Sequence, residues 1–236
     1  MGEAPARAEV GEGYQRRGEI LAAQGNWGAA LPEYQQALAA AKSDVVRIDA
    51  LYGVARAHHE LRHYDAAVEA YRQVALEFPS NRFTVASLRG LAQVYTQMGR
   101  TTEAKQTWQA VLSRAPKDAA AAEAHVELGL LLQGDGEHRR ALDHFHQALS
   151  QGTPELAARA QYEIGRTYTA QQNYQQGTLE LLKVAYLYPQ QQRWVQRALF
   201  QAAANYEQEQ KWQEDLAIYQ KIVNEVPGTE PRQQAS

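Results

Sequence analysis

The sequence predicts an all-α fold, a right-handed α-solenoid of six helix-turn-helix repeats, on three observations. Small residues and aromatics recur together, as Trp27/Ala30/Tyr34, Tyr64/Ala67/Tyr71, Thr101/Ala104/Trp108, His138/Ala141/Phe145, Tyr174/Gly177/Leu181 and Trp212/Asp215/Tyr219. Successive groups are 37, 37, 37, 36 and 38 residues apart. Each group is followed three residues later by Ala37, Val74, Val111, Ala148, Val184 or Ile222, which is the spacing of one helix face. Upstream lies a second helical pattern, such as Leu51-Val54-Ala55-His58, Leu88-Leu91-Ala92-Tyr95 and Leu199-Ala202-Ala203-Tyr206. Two helices per period, repeated at a near-constant step, describe a stacked array and not one globular core.

Turns and stops follow from residue chemistry. Gly25-Asn26, Gly99-Arg100, Gly134-Asp135-Gly136 and Gln172-Asn173 separate the two helices of a repeat. Pro79, Pro116, Pro154, Pro189 and Pro227 are expected to close repeats two to six, because proline lacks an N–H and fixes φ. Repeat one has no such stop. Pro32 falls inside its second helix, where the ring would clash with the preceding turn at a cost of ~3 kcal/mol. With Gly28 weakening the helix just before it, a delayed start is the expected resolution.

These residues resemble the tetratricopeptide repeat family, whose unit of ~34 residues carries small side chains where helices cross and aromatics that plug between neighbours. The resemblance covers about residues 11–229, in repeats near 11–44, 48–81, 85–118, 122–155, 158–191 and 196–229. Residues 1–10 and 230–236 are expected to be disordered. In that register the first-helix crossing position holds Gly18, Ala55, Ala92, Gly129, Gly165 and Ala203, and the second-helix crossing position holds Ala30, Ala67, Ala104 and Ala141. Gly177 is small but a poorer helix former, and Asp215 departs from the pattern. The extra residues per step read as helix, Phe83 and Val85 leading into Leu88 and Trp194 into Ala202, so each first helix should begin a turn early. Endings such as LEFP, YLYP and NEVP resemble a long-unit subgroup of bacterial cell-envelope proteins, of the Tol-Pal accessory and outer-membrane assembly lipoprotein type. That resemblance implies a periplasmic or cell-envelope location, with the cytoplasm as the alternative.

The same resemblance implies a function: a non-catalytic scaffold that binds a partner protein or peptide in a concave groove lined by first helices. The exposed positions there are the second, fifth, ninth, twelfth and thirteenth of each repeat. The fifth and ninth hold Gln15 and Glu19, Tyr52 and Arg56, Arg89 and Gln93, Val126 and Leu130, Tyr162 and Arg166, and Phe200 and Ala204. Tyr and Arg are enriched at binding hot spots, because a rigid ring and a planar donor fork give much contact for little lost entropy. Tyr52, Arg56, Arg89, Gln93, Val126, Leu130, Tyr162, Arg166 and Phe200 are therefore the candidate binding residues, suited to a peptide carrying acidic and apolar side chains. Ordinary i,i+4 packing on a solvated face is the alternative for Tyr52-Arg56 and Tyr162-Arg166. The carboxylate clamp of chaperone-binding relatives is not expected, since Gln15, Glu19 and Gly53 stand where its lysine and asparagines would be.

Composition excludes other classes. At 44% hydrophobic and 22% charged residues the chain can fold, and with a net charge of −3 and dispersed Lys and Arg it has no basic footprint for nucleic acid. No run approaches the ~18 apolar residues of a membrane span, so no direct insertion is expected. Without cysteine there is no disulfide or thiolate site. His59 and His63 share a helical spacing, but no third ligand is fixed, and no phosphate loop, serine elbow or metal motif appears; neither cofactor nor catalysis is expected. The rival reading is structural: Trp212, Leu216, Tyr219, Ile222 and Val223 exceed what the last repeat can cover, favouring a homo-oligomer or a module of a larger envelope protein.

Overall fold

A computed structural model describes residues 3–117, 119–214, 216, 217 and 220. The described residues are helical throughout, with no strand among them, as a helical-repeat solenoid requires. The chain divides into an N-terminal half, Met1–Ala115, and a C-terminal half, Pro116–Ser236.

The N-terminal half holds α1 (Glu3–Ala23), α2 (Trp27–Ala40), α3 (Asp44–Glu60), α4 (Tyr64–Glu77), α5 (Thr84–Gln97) and α6 (Thr101–Arg114). Each helix packs on the next, and the first helices also touch one another, α1 on α3 and α3 on α5. No second-helix pair among the described residues comes equally close. First helices thus form the tighter, inner layer of each stack. The C-terminal half repeats this arrangement with α7 (Ala119–Gly134), α8 (His138–Gln151), α9 (Pro154–Ala170), α10 (Tyr174–Leu187) and α11 (Gln192–Gln208), again with α7 on α9 and α9 on α11. Helical residues resume at Trp212.

Close approach explains the small residues. Gly18, Ala55, Ala92, Gly129, Gly165 and Ala203 are all buried, as expected of crossings. Tyr34 shows why: its ring lies between α1 and α3, so a Cβ added at Gly18 would sit 2.8 Å from it and one at Gly53 2.5 Å. The buried Tyr71, Trp108, Phe145 and Leu181 hold the same position in later repeats. Gly177 has a different task. A Cβ there would lie 2.7 Å from Thr169 Oγ1, which receives a 2.9 Å hydrogen bond from the buried Asn205 Nδ2.

The helix-to-helix turns carry the array's period in their backbone. Gly25, Arg62, Gly99, Gly136, Gln172 and Gln210 all have positive φ, between 59° and 77°, each ending a first helix. Asn26 and Asn173 then cap the following helices through Ala29 N and Gln176 N, both at 3.3 Å.

Three expectations need correction. Residues 3–10 are not disordered but belong to α1. Pro154 does not close repeat four; it is the first residue of α9, behind the cap Thr153, where its missing N–H is harmless. Repeat four ends instead at Gly152. The second helix of repeat one is not delayed by Pro32: α2 runs unbroken from Trp27 to Ala40. Pro32 falls in its second turn, where the lost bond is a single N–H to Gly28, and the Asn26 cap stabilises the start.

Candidate binding faces on the first helices

In the N-terminal half the candidate pair on α3 is built as a rigid stack. Tyr52 is half-buried, stacked on Phe83 with centroids 4.4 Å apart and planes at 15°, and tilted against Tyr71 at 6.2 Å. Arg56 is exposed, its guanidinium 5.1 Å from the Trp27 ring and 6.0 Å from that of Tyr52. On α5, Arg89 is exposed and Gln93 half-buried. Burial raises the Tyr71 and Tyr34 hydroxyl pKa values above the usual tyrosine range; nearby Arg56 opposes the shift at both. These hydroxyls stay neutral.

Next to this stack lies a polar cavity of about 370 Å³ among Glu12, Gln15, Arg16, Glu19, Asp49 and Arg82. Two of its carboxylates and Arg82 are engaged within it. Arg82 pairs with Asp49, and Gln15 Nε2 donates to Asp49 Oδ2 and Glu19 Oε1, both at 3.0 Å.

In the C-terminal half Tyr162 and Arg166 repeat the pattern on α9. Tyr162 is half-buried against Trp194 at 5.6 Å, and Arg166 is exposed with its guanidinium 5.9 Å from the Tyr162 ring. Arg166 Nη1 donates to Glu163 Oε2 at 3.0 Å. Burial pushes the Glu163 carboxyl pKa up, against the pull of Arg166, Arg159 and Arg197. On α11 Phe200 is 50% exposed, and Arg193 and Arg197 each lie 5.2 Å over the buried Trp194 ring.

Val126 does not belong on this face. It is fully buried with Phe145, Ala160 and Ile164, and Leu130 packs partly buried on the same cluster. The fifth position sits at the seam between neighbouring first helices, so tyrosine, arginine or phenylalanine reaches out of it while a short valine is covered. Side-chain length, not register, decides exposure there.

Sequence reasoning missed Trp27, Phe83 and Trp194 as ring supports and Arg197 as part of the face. Arg197 was legible: it is the second residue of its repeat, an exposed position by the same register. The second positions hold Glu12, Asp49 and Ala86 in the N-terminal half and Glu123, Arg159 and Arg197 in the C-terminal half, so arginine appears there only in the last two repeats.

The histidines pair without forming a ligand set. His59 Nε2 meets Gln97 Oε1 at 3.2 Å, while His63 Nδ1 meets His58 Nδ1 at 3.4 Å, so His59 and His63 do not converge. A pair not anticipated from the sequence joins α7 to α8, with Nδ1 of His125 and His144 2.9 Å apart. Burial first, then the other ring, brings His125 down to about 4; His144 is lowered too, by burial and then Arg140. Among the described residues no three His, Cys, Asp or Glu side chains group to hold a metal, and no helix is long and apolar enough to cross a membrane.

Comparison with known proteins bears on the fold. A tetratricopeptide repeat model matches residues 16–82 and 126–192, and a second model of that repeat matches 83–153. No curated protein matches. Among solved structures, a tetratricopeptide repeat protein from Parabacteroides merdae is 17% identical with a TM-score of 0.73, covering 92% of this chain and 80% of its own. MamA from Desulfovibrio magneticus is 20% identical at a TM-score of 0.66, over 77% of this chain and 97% of that one. YrrB, a TPR protein with an unusual peptide-binding site, is 22% identical at 0.59, over 75% and 85%. Likeness at these identities concerns the fold alone.

Proposed function

Because this chain belongs to the tetratricopeptide repeat family, whose members generally mediate protein–protein interaction, we propose that it is a non-catalytic scaffold binding a partner through its first helices. The observation that carries this is the repeated Tyr/Arg device: in each half an exposed arginine, Arg56 or Arg166, lies over a tyrosine that a second ring holds in place. Rings and guanidinium groups held before binding lose little entropy on contact, which is what hot spots require. That a structural relative, YrrB, has a peptide-binding site supports a peptide or protein as ligand.

The test compares captured partners by quantitative mass spectrometry. A true partner is retained by Gln106→Ala, on the exposed side of α6, and lost from the double variant Arg56→Ala, Arg166→Ala. Weakening by ~2 kcal/mol, about thirtyfold, is expected for that pair. Equal capture by both variants refutes the reading. Arg56 is a cleaner probe than Tyr52, whose removal would also disturb Phe83 and Tyr71.

A second reading rests on Trp212 and Leu216, 62% and 58% exposed at the start of the last helix; Tyr219, Ile222 and Val223 lie outside the described residues. We propose self-association through this face as the alternative, and light scattering across a concentration series decides it, a constant monomer mass counting against it. A cell-envelope location is proposed on the repeat endings alone, and fractionation of the native host tests it.

A further inference from the structure

The C-terminal half has more arginine on its first helices than its carboxylates engage. Glu127 is held by Arg159 at 2.9 Å and Glu163 by Arg166 at 3.0 Å. Among the described residues Arg193 and Arg197 have no carboxylate within ion-pair reach; both lie over the Trp194 ring. Stacking uses the flat face of a guanidinium and leaves its N–H edge for a planar oxyanion. Trp194 is only 6% exposed and braced by Tyr162, so these arginines stand on a fixed base.

Beside them a cavity of about 380 Å³ opens among Tyr162, Gln196, Arg197, Phe200 and Gln201. Arg197 and Phe200 are three residues apart on α11, so they share a face with Cβ atoms ~5–6 Å apart. Alternate side chains of an extended peptide are spaced ~6.6 Å, which matches. We infer that Arg197, with Arg193 one turn before it on α11, and Phe200 form a subsite for an extended peptide bearing a carboxylate side chain two residues from an apolar one. This rests on the first-helix reading and adds to it a ligand class and a place. The charge is set for one carboxylate: the arginines are spaced by rings, and the whole chain is net negative at −3, which disfavours a polyanion.

The test uses the full chain and short labelled peptide libraries fixed as Glu-x-Phe, Gln-x-Phe or Lys-x-Phe, read by fluorescence polarisation, with a short single-stranded RNA as the rival anion. The Glu-x-Phe library should bind roughly tenfold tighter than Gln-x-Phe, and that margin should shrink as salt rises. The double variant R193Q, R197Q should erase the margin and leave Gln-x-Phe binding unchanged. R197Q alone, which touches only an exposed side chain, should remove most of it. Circular dichroism confirms that both variants fold. Equal binding of the Glu and Gln libraries, a margin that survives both variants, or RNA binding that outcompetes the peptides overturns the subsite. If no library binds while a captured partner still depends on Arg56 and Arg166, the subsite falls and the first-helix reading stands. A partner indifferent to Arg56 and Arg166 removes the reading itself.

Discussion

The two halves of this protein share a scaffold and differ on its face. In each, rings or a leucine from second helices press on glycine or alanine of first helices, and a left-handed residue ends every first helix. On the inner face, however, the N-terminal half has Asp49 paired to Arg82 and hydrogen-bonded to Gln15, whereas the C-terminal half has Arg193 and Arg197 lying on an indole. Repeats kept alike by packing are free to diverge where the side chain ends in water. Chemical identity therefore resides at the second, fifth and ninth positions, and each half must be read separately.

The common scaffold is the part to break first. Gly18→Val in the N-terminal half and Gly165→Val in the C-terminal half would each drive a Cβ into Tyr34 or Leu181, at 2.8 and 2.6 Å. Each should destabilise its own half by about 2–3 kcal/mol, read by hydrogen exchange resolved along the chain. A large effect in one half and none in the other would mean that the halves are packed by different rules.

Acid should separate the halves next. The folded His125 and His144 pKa values lie below the unfolded value, so both rings are preferred neutral. Their contribution is whole above about pH 6.5 and is lost as pH falls toward 4, because the unfolded chain then binds the protons more readily. After allowance for solvent screening of these half-exposed rings, the C-terminal half should lose on the order of 1 kcal/mol across that window. His58, less buried, is also lowered by burial and His63, and the N-terminal half should respond less. Exchange measured between pH 7 and 4 checks this, and His125→Gln should flatten the C-terminal response.

The smallest effect concerns the face itself. Asp49→Asn removes the Arg82 pair, whose arginine is 66% exposed, and should change stability by no more than about 0.5 kcal/mol in urea unfolding. A larger loss would make the acidic residues of the N-terminal face structural and not merely neutralising.

The array was legible because burial at crossings constrains residue size six times over, and the same 37-residue beat that spaces Trp27, Tyr64 and Thr101 spaces the positive-φ residues 25, 62 and 99. Pro32 and Pro154 misled for different reasons: Pro32 costs α2 one N–H bond that the capped helix tolerates, whereas Pro154 costs α9 none. Proline penalises a helix only where an N–H is needed, and its place relative to the cap cannot be read from the residue alone. The site was half legible. Arg56, Arg166 and Phe200 are exposed and Tyr52 and Tyr162 half-buried, as that register predicts, but Val126 is sealed by Ala160 and Ile164 of the neighbouring helix. The supports Phe83 and Trp194, and the His125–His144 pair, arise from contacts between helices that periodicity does not encode.

The contact between Asn205 and Thr169 bears on how such an array can evolve. Repeats multiply by duplication, and interchangeable ones could be reordered or deleted without loss. Asn205, 1% exposed, finds its partner only on the preceding first helix, and only because residue 177 has no side chain. Set next to any of the first four repeats, it would meet the Cβ of Ala30, Ala67, Ala104 or Ala141 in place of Gly177, where a Cβ would come within 2.7 Å of the threonine oxygen and 3.1 Å of the amide nitrogen and crowd the pair apart. The Asn205–Thr169 pair thus fits the sixth repeat to the fifth and to no alanine-bearing repeat before it.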